Sequence, residues 1–472
     1  MQEDNEIPQS EETKHTIERY EEMLRNKHQY FFDVDSFIDI VDYYFGKNNP
    51  EHAAQVIEYA LTLHPNSDIL LLKQAQVMAF RGNTEGSLQI LHKLEQETPF
   101  DPDIFIARGN VYNQQEKYEE AIACLEKAIS MIESEEELEP LHINLGFILE
   151  NKGDFEKALT SFRRALDINP ENETCYHEIA YCYEVLEKPE EAVTLIRNII
   201  DESPYSHIAW FVLGNIYNGM GLYEKAIEAF DYALLVKYDF SIAHFNKGNA
   251  LANMERYEDA IACYKQTFEF ETPDALTYYN IGECYEKLSE MDEARSCYKK
   301  ATKINPDLAE AWHGIAITLH AQSRSFEALH YVRKAIELEE FRGEFWQLLA
   351  ELENTLGRPE EALKAYRKVI EHEPENIDAW LDHSDLLAEE GRLDEAIGVL
   401  TEGIRNLPSS AEFYYRMVSY LFDSGNQKEA MMSLGMALEL SYENYHLLFE
   451  YNPVLKNHPS FIELINSYKP RK

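Results

Sequence analysis

The chain has 472 residues, 45% of them hydrophobic, and a formal net charge of −43 at pH 7. A charge of this sign repels nucleic-acid phosphates and anionic lipid surfaces, so nucleic-acid binding is disfavoured. No stretch approaches the roughly 18 apolar residues that a membrane-spanning helix needs, and we expect no membrane insertion. The acidity either only keeps the surface hydrated or attracts basic segments of other proteins.

The first 33 residues divide into an acidic tail and one helix. Residues 1–12 are rich in Glu and lack the apolar core of a signal peptide, so we expect a disordered tail. Ile17, Tyr20 and Met23 then share one face of an amphipathic helix within residues 13–33. We expect this helix to cap the repeating array that follows.

A spacing of 34 residues governs residues 34–443. Small residues recur at this interval on both sides of Gly214, except that Val replaces them in the two outermost repeats, and a second small residue, usually Ala, follows each position by 12 residues. The residues at the first position, termed the phase marks, are Val41, Ala75, Gly109, Gly146, Ala180, Gly214, Gly248, Gly282, Ala316, Ala350, Ser384 and Val418. Because small residues let two helices approach closely, this spacing predicts twelve helical hairpins.

The spacing departs from 34 once, and the array ends before the chain does. Gly109 and Gly146 are 37 residues apart, and the three additional residues fall in a Glu-rich stretch before Pro140. We predict a longer loop there, near residues 133–139. Residues 444–472 no longer follow the pattern and are predicted to form C-terminal capping helices.

These hairpins resemble the tetratricopeptide repeat, in which Trp, Leu, Gly, Tyr, Ala, Phe and Ala recur in a fixed order. The residues that match it around Gly214 are Trp210, Leu213, Gly214, Tyr217, Ala226, Phe230 and Ala233. The resemblance implies an all-α fold, a right-handed superhelical solenoid of hairpins with capping helices at both ends. It also implies binding of other proteins in a concave groove lined by the first helix of each hairpin.

Family ligands contact residues three before, two before, one after and four after the phase mark. Here these registers carry amides and aromatic rings: Asn110, Asn144, Tyr181, Phe211, Asn215, Phe245, Asn246, Asn249, Tyr279 and Asn280. An amide donates and accepts hydrogen bonds, as an extended peptide backbone does, so we expect these residues to bind a partner segment. The set is similar to the asparagine ladder of peptide-binding arrays in glycosyltransferases that modify Ser and Thr. The alternative is that the asparagines only bridge neighbouring helices.

Later hairpins carry carboxylates on the same face. These residues are Glu310, Glu344, Glu351, Asp378, Asp382 and Asp385. We therefore expect the partner segment to be neutral to basic. The carboxylate clamp of chaperone-binding family members is not met, because Phe245, Glu310 and Gly314 stand where its cations belong.

No catalytic, metal-binding or cofactor-binding motif interrupts the repeats, so we expect no enzyme activity, metal or cofactor. His313 and His320 share a helix face but are separated by about 10 Å along the axis, too far to share one ion. Six cysteines without a CxxC pair favour reduced thiols in a cytoplasmic protein. The sequence thus predicts a non-enzymatic scaffold for protein–protein interaction. The alternative is a regulatory or substrate-delivering subunit of a catalytic, secretion or envelope complex.

Overall fold

The structure, a computed structural model, describes residues 11–26 and 30–469 and divides the chain into two compact units, Met1–Tyr238 and Asp239–Lys472. The helices described in unit 1 are α1 (Glu11–Asn26), α2 (Val34–Gly46), α3 (Pro50–Leu63), α4 (Asp68–Phe80), α5 (Thr84–Glu97), α6 (Pro102–Gln114), α7 (Tyr118–Ile129), α8 (Glu135–Lys152), α9 (Phe155–Ile168), α10 (Glu173–Val185), α11 (Pro189–Glu202), α12 (His207–Gly219) and α13 (Tyr223–Val236).

The helices described in unit 2 are α14 (Ser241–Asn253), α15 (Tyr257–Thr267), α16 (Ala275–Lys287), α17 (Met291–Ile304), α18 (Ala309–Ala321), α19 (Ser325–Leu338), α20 (Gly343–Thr355), α21 (Pro359–His372), α22 (Ile377–Glu389), α23 (Leu393–Asn406), α24 (Ala411–Asp423), α25 (Gln427–Leu440), α26 (His446–Tyr451) and α27 (Pro459–Ser467). Two short 3-10 helices, Tyr442–Tyr445 and Pro453–Asn457, flank α26.

Successive helices pack as hairpins within each unit. In unit 1, α2 packs against α3, and α3 in turn packs against α4, the first helix of the next hairpin. In unit 2, α14, α15 and α16 repeat this arrangement. The described residues contain helices and no β-strand, so the predicted all-α class of stacked helical hairpins is confirmed.

Local sequence signals begin and end these helices. At the start of α12, the Ser206 hydroxyl accepts a hydrogen bond from the Ala209 N–H (3.2 Å), which satisfies a backbone donor that the helix itself leaves unpaired. Between α12 and α13, Gly221 has a φ of +71°, a conformation that glycine adopts without strain. The chain can therefore reverse within a few residues.

Four of the phase marks are glycines that lie against an aromatic ring of the second helix of the same hairpin. A Cβ atom on Gly214 would lie 2.5 Å from Phe230, and one on Gly282 would lie 2.6 Å from Tyr298. Both aromatic side chains are almost fully buried. The second small position is at most 1% exposed in all twelve hairpins, with Ser87 in place of Ala in one of them. Close helix packing thus explains both small positions of the pattern.

The four tryptophans join each of their helices to the preceding turn. Each indole Nε1–H donates to the backbone carbonyl six residues earlier, as Trp210 does to Pro204 (2.9 Å) and Trp380 to Pro374 (3.0 Å). Trp312 and Trp346 make the same bond at 2.8 and 2.7 Å. The indole N–H is therefore paired, and the bond links each first helix to the inter-hairpin turn that precedes it.

The predicted loop near residues 133–139 is wrong. Helix α8 begins at Glu135 and is 18 residues long, whereas α6, the preceding first helix, has 13. Ser134 is at the N-cap and Glu residues fill the first turn, where carboxylates favour helix formation. The three additional residues therefore extend a helix, and Pro140 is accommodated inside it.

The chain ends differ slightly from the predicted boundaries. Helix α1 includes Glu11 and Glu12, which were expected in the tail, while residues 1–10 lie outside the described residues. The apolar face of α1 is buried, and the helix packs against α2. At the other end, Phe461 and Ile465 of α27 are buried, and α27 packs against α25. None of the helices in the described residues has the length and apolar character needed to cross a membrane.

Candidate partner-binding face

The registers three before, two before, one after and four after each phase mark lie on the first helix of each hairpin. The side chains at these registers are termed the first-helix face. It includes every predicted contact residue and three of the six predicted carboxylates, Glu351, Asp382 and Asp385. The other three, Glu310, Glu344 and Asp378, lie about one helical turn earlier, six residues before their phase marks. The two units present this face with different neighbours, so each is described by itself.

In unit 1, a pair of asparagines joins two successive first helices. The Asn144 Nδ2 group on α8 donates to Asn110 Oδ1 on α6 (2.8 Å). Asn110 is exposed and Asn144 is half-buried. The pair therefore bridges helices, as the alternative interpretation expected, while part of Asn110 stays at the surface.

Tyr181 and Phe211 were both predicted to contact a partner, and the structure separates them. Tyr181 on α10 is 49% exposed, and its ring centroid lies 6.3 Å from that of Phe155. Phe211 on α12 is only 2% exposed, with its ring 6.2 Å from His177 and 5.9 Å from Phe230. Phe211 is thus a core residue, and its prediction as a contact residue is wrong. It is buried because the rings of two neighbouring helices cover it.

Two carboxylates lie on the same face near Tyr181. Glu150 on α8 and Glu178 on α10 are both half-buried. Burial raises the pKa of both carboxyl groups, and the charge of Glu178 adds to the effect on Glu150. Glu150 Oε1 also accepts a hydrogen bond from the Cys182 thiol (3.0 Å). A nearby cation would stabilise the ionised forms of both groups.

In unit 2, asparagine side chains at the contact registers form hydrogen bonds with each other and with a buried tyrosine. Asn249 Oδ1 accepts hydrogen bonds from Asn280 Nδ2 (3.2 Å) and from the Tyr264 hydroxyl (2.7 Å). Tyr264 is 2% exposed, and burial raises the pKa of its hydroxyl. Asn249 therefore satisfies a buried polar group, and Asn246 on the same helix is half-buried.

The aromatic residues of unit 2 lie against the second helices. Phe245 and Tyr279 are half-buried, with ring centroids 5.5 Å from Tyr264 and 5.7 Å from Tyr298 respectively. The Tyr279 hydroxyl donates to Glu283 Oε1 (2.9 Å). These two rings have less free surface than Tyr181.

Arginines neutralise part of the carboxylate set of unit 2. Arg342 contacts Glu310 (2.5 Å) and Glu344 (2.6 Å), and Arg416 Nη2 lies 2.9 Å from Asp385. Asp382 and Glu351 accept hydrogen bonds from Gln347, and Asp378 is exposed. This part of the face is less negative than a count of carboxylates suggests.

Unit 1 contains a pocket that the sequence analysis did not predict. It has a volume of about 450 Å³, lies between the C-terminal halves of α10 and α12, and includes Asn215 and Gly219 in its lining. Asn215 is half-buried there. Gly219 is the last residue of α12. A glycine at a register that carries Val185 in the preceding hairpin and Asn253 in the following one was the sequence signal for this pocket.

Family models described as tetratricopeptide repeats match the chain over most of residues 103–419. The matched segments are 103–171, 178–242, 242–270, 275–308, 313–376 and 354–419. The chain therefore belongs to the tetratricopeptide repeat family, a class of protein-interaction scaffolds.

Individual relatives are distant. The chain is 25% identical to human protein O-mannosyl-transferase TMTC1 over 129 residues, which is 27% of this chain and only 15% of that protein. Among solved structures, the Cut9–Hcn1 hetero-tetramer of the APC/C is 14% identical, with coverage of 89% of this chain and 93% of that one and a TM-score of 0.40. YrrB, a TPR protein with an unusual peptide-binding site, is 20% identical, with 39% and 95% coverage and a TM-score of 0.34.

Proposed function

We propose that this chain binds an extended or helical segment of a partner protein along the first-helix face and supplies no catalysis itself. One observation carries the proposal: Tyr181 is a large aromatic residue that is half exposed at a contact register, although the helix around it is well packed. An aromatic ring offers rigid contact area at a small entropic cost, and such rings are enriched at protein interfaces. Asn110, exposed at the same register of α6, adds hydrogen-bonding groups.

The partner segment is proposed to be neutral to basic. The net charge of −43 would repel an anionic segment at long range. Closer in, the half-buried Glu150 and Glu178 have raised pKa values because water is partly excluded from them. A lysine or arginine placed between them would replace that lost solvation.

A comparison of surface variants tests the proposal. The tagged chain, its Asn110→Ala/Tyr181→Ala variant and a matched control would be purified from the native host, and the co-purifying proteins would be quantified. The control, Asn198→Ala/Tyr205→Ala, removes an exposed Asn and an exposed Tyr outside the first-helix face. We expect the first variant to lose most of at least one partner and the control to keep it. Equal recovery by both variants would contradict the proposal.

The same experiment separates a scaffold from a subunit that serves an enzyme. Tetratricopeptide folds are typically non-catalytic, so any activity in the purified complex is expected to belong to a co-purifying protein. Activity that remains with the isolated chain would contradict the non-catalytic assignment.

A further inference from the structure

We infer that the pocket at Gly219 receives one apolar side chain of the bound segment, and that a lysine or arginine of this segment lies beside it. This inference rests on the proposed function and specifies which sequence the face recognises. The pocket includes Asn215, so it opens on the first-helix face itself. Its volume of about 450 Å³ falls within the range of about 300–1,000 Å³ found for ligand pockets.

The walls of the pocket favour an apolar occupant. Tyr183, Pro189, Ile216 and Met220 are among the residues that line it, and their side chains are largely apolar. Water in contact with such walls is released when an apolar side chain replaces it, which favours binding. A charged or strongly polar occupant would lose its hydration without an equivalent set of partners.

The mouth of the pocket favours a cation next to that side chain. Two of the lining residues, Glu184 and Glu187, are exposed carboxylates. No lysine or arginine is among the lining residues, all of which belong to the described part of the chain. Glu178 lies on the same helix as Glu184, and burial already raises its pKa. The complementary occupant is therefore a peptide that places Lys or Arg beside Leu, Ile, Met or Phe.

Gly219 leaves one part of the pocket lining without a side chain. A Cβ atom added at Gly219 would meet no atom within 4 Å, so the protein itself does not require glycine there. Its φ lies outside the left-handed region, and helix propensity would favour almost any other residue. The preceding hairpin carries Val185 and the following one carries Asn253 at the same register. We expect a larger side chain at Gly219 to fill part of the pocket and to exclude a ligand from it.

This arrangement gives a test that does not depend on damaging the fold. A phage-displayed library of random twelve-residue peptides would be selected on the full chain, and the enriched peptides synthesised and titrated by fluorescence anisotropy. We expect a consensus with one apolar residue next to Lys or Arg. Gly219→Leu should weaken these peptides at least tenfold, and Gly219→Ala by a smaller factor. Glu184→Gln/Glu187→Gln should weaken them several-fold at low salt and less at high salt.

A matched glycine provides the control. Gly398 in α23 of unit 2 is also helical and exposed, and a Cβ there also meets nothing within 4 Å, so Gly398→Leu should leave peptide affinity unchanged. Peptides that bind Gly219→Leu as tightly as the unmodified chain, yet lose affinity for Tyr181→Ala, would overturn the pocket and leave the proposed face standing. Enrichment of no peptide, or of peptides insensitive to every variant, would contradict both.

Discussion

The two units share their packing and differ in how they use the same face. In both, a glycine at the phase mark lies against a buried aromatic ring of the second helix. At the contact registers, unit 1 exposes Tyr181 and Asn110, whereas in unit 2 Asn249 and Tyr279 are bonded to Tyr264 and Glu283. The comparison shows that the repeat determines where on the helix a side chain lies, but not whether it is exposed or bonded to the core. Similar residue types can face a ligand in one unit and support the core in another.

The largest expected effect on stability comes from removing the ring that packs against a phase-mark glycine in either unit. Phe230→Ala in unit 1 and Tyr298→Ala in unit 2 each remove a buried ring, and each should lower the free energy of unfolding by about 3–5 kcal/mol. Chemical denaturation followed by circular dichroism measures both. Tyr205→Ala, at an 85% exposed tyrosine, should change it by about 0.5 kcal/mol or less. If only one of these two variants lost stability, the packing would not be equivalent in the two units, contrary to this comparison.

The differing use of asparagine makes the next prediction. Asn249→Ala leaves the buried Tyr264 hydroxyl without its acceptor and should cost about 1–3 kcal/mol. Asn110→Ala removes only the solvent-exposed hydrogen bond with Asn144 and buries no unpaired group, so it should cost about 0.5 kcal/mol. Denaturation of the two variants gives the difference. Adding Tyr264→Phe should recover much of the loss from Asn249→Ala, because the unpaired hydroxyl is then gone. Equal costs for the two asparagines, or no recovery, would count against this account.

The smallest expected effect is a pH dependence in unit 2. Burial raises the pKa of Glu286, which accepts a hydrogen bond from Tyr298 (2.8 Å). Between the unfolded and the folded pKa, the folded state binds more protons than the unfolded state, so stability falls as pH rises through this window. Acidification from pH 7 toward 4.5, the unperturbed value, should therefore increase the stabilising contribution of Glu286. The buried His313 and His383, whose pKa values burial lowers to about 4, act in the opposite direction over this range, so the contribution of Glu286 is measured as a difference between variants.

Substitution isolates this contribution. Glu286→Gln keeps an acceptor for Tyr298 but has no proton to bind, so acidification from pH 7 to 4.5 should change its Tm less favourably than that of the unmodified chain. Glu258→Gln removes an equal charge at an exposed position of unit 2 and should respond to pH like the unmodified chain. Identical pH profiles for all three proteins would show that Glu286 is not the titrating group.

Most of the fold could be read from the sequence because its cause is local and repeated. Gly214 and Phe230 are 16 residues apart, and the same contact returns wherever that pair of residue types returns. The interpretation of residues 133–139 failed because three added residues change the spacing equally in a loop or in a helix. The Glu residues that follow Ser134 were the available sign of a helix start.

The face was harder to predict than the fold. The register predicts on which side of the helix a residue lies, but it does not predict how far neighbouring helices bury that residue. Phe211 is covered because His177 and Phe230, from other helices, pack against it, while Tyr181 has a single ring near its edge. The pocket at Gly219 depends on helices from two hairpins, so no single repeat contains its signal.

Site-specific photocrosslinking tests the central claim most directly. A benzophenone amino acid would replace Tyr181 on the first-helix face or, as the matched position, the more exposed Tyr205. Each protein would then be irradiated in the native host. We predict a covalent adduct with a partner protein from position 181 and little or none from position 205. An adduct from position 205 alone would place the partner elsewhere and contradict binding along the first-helix face.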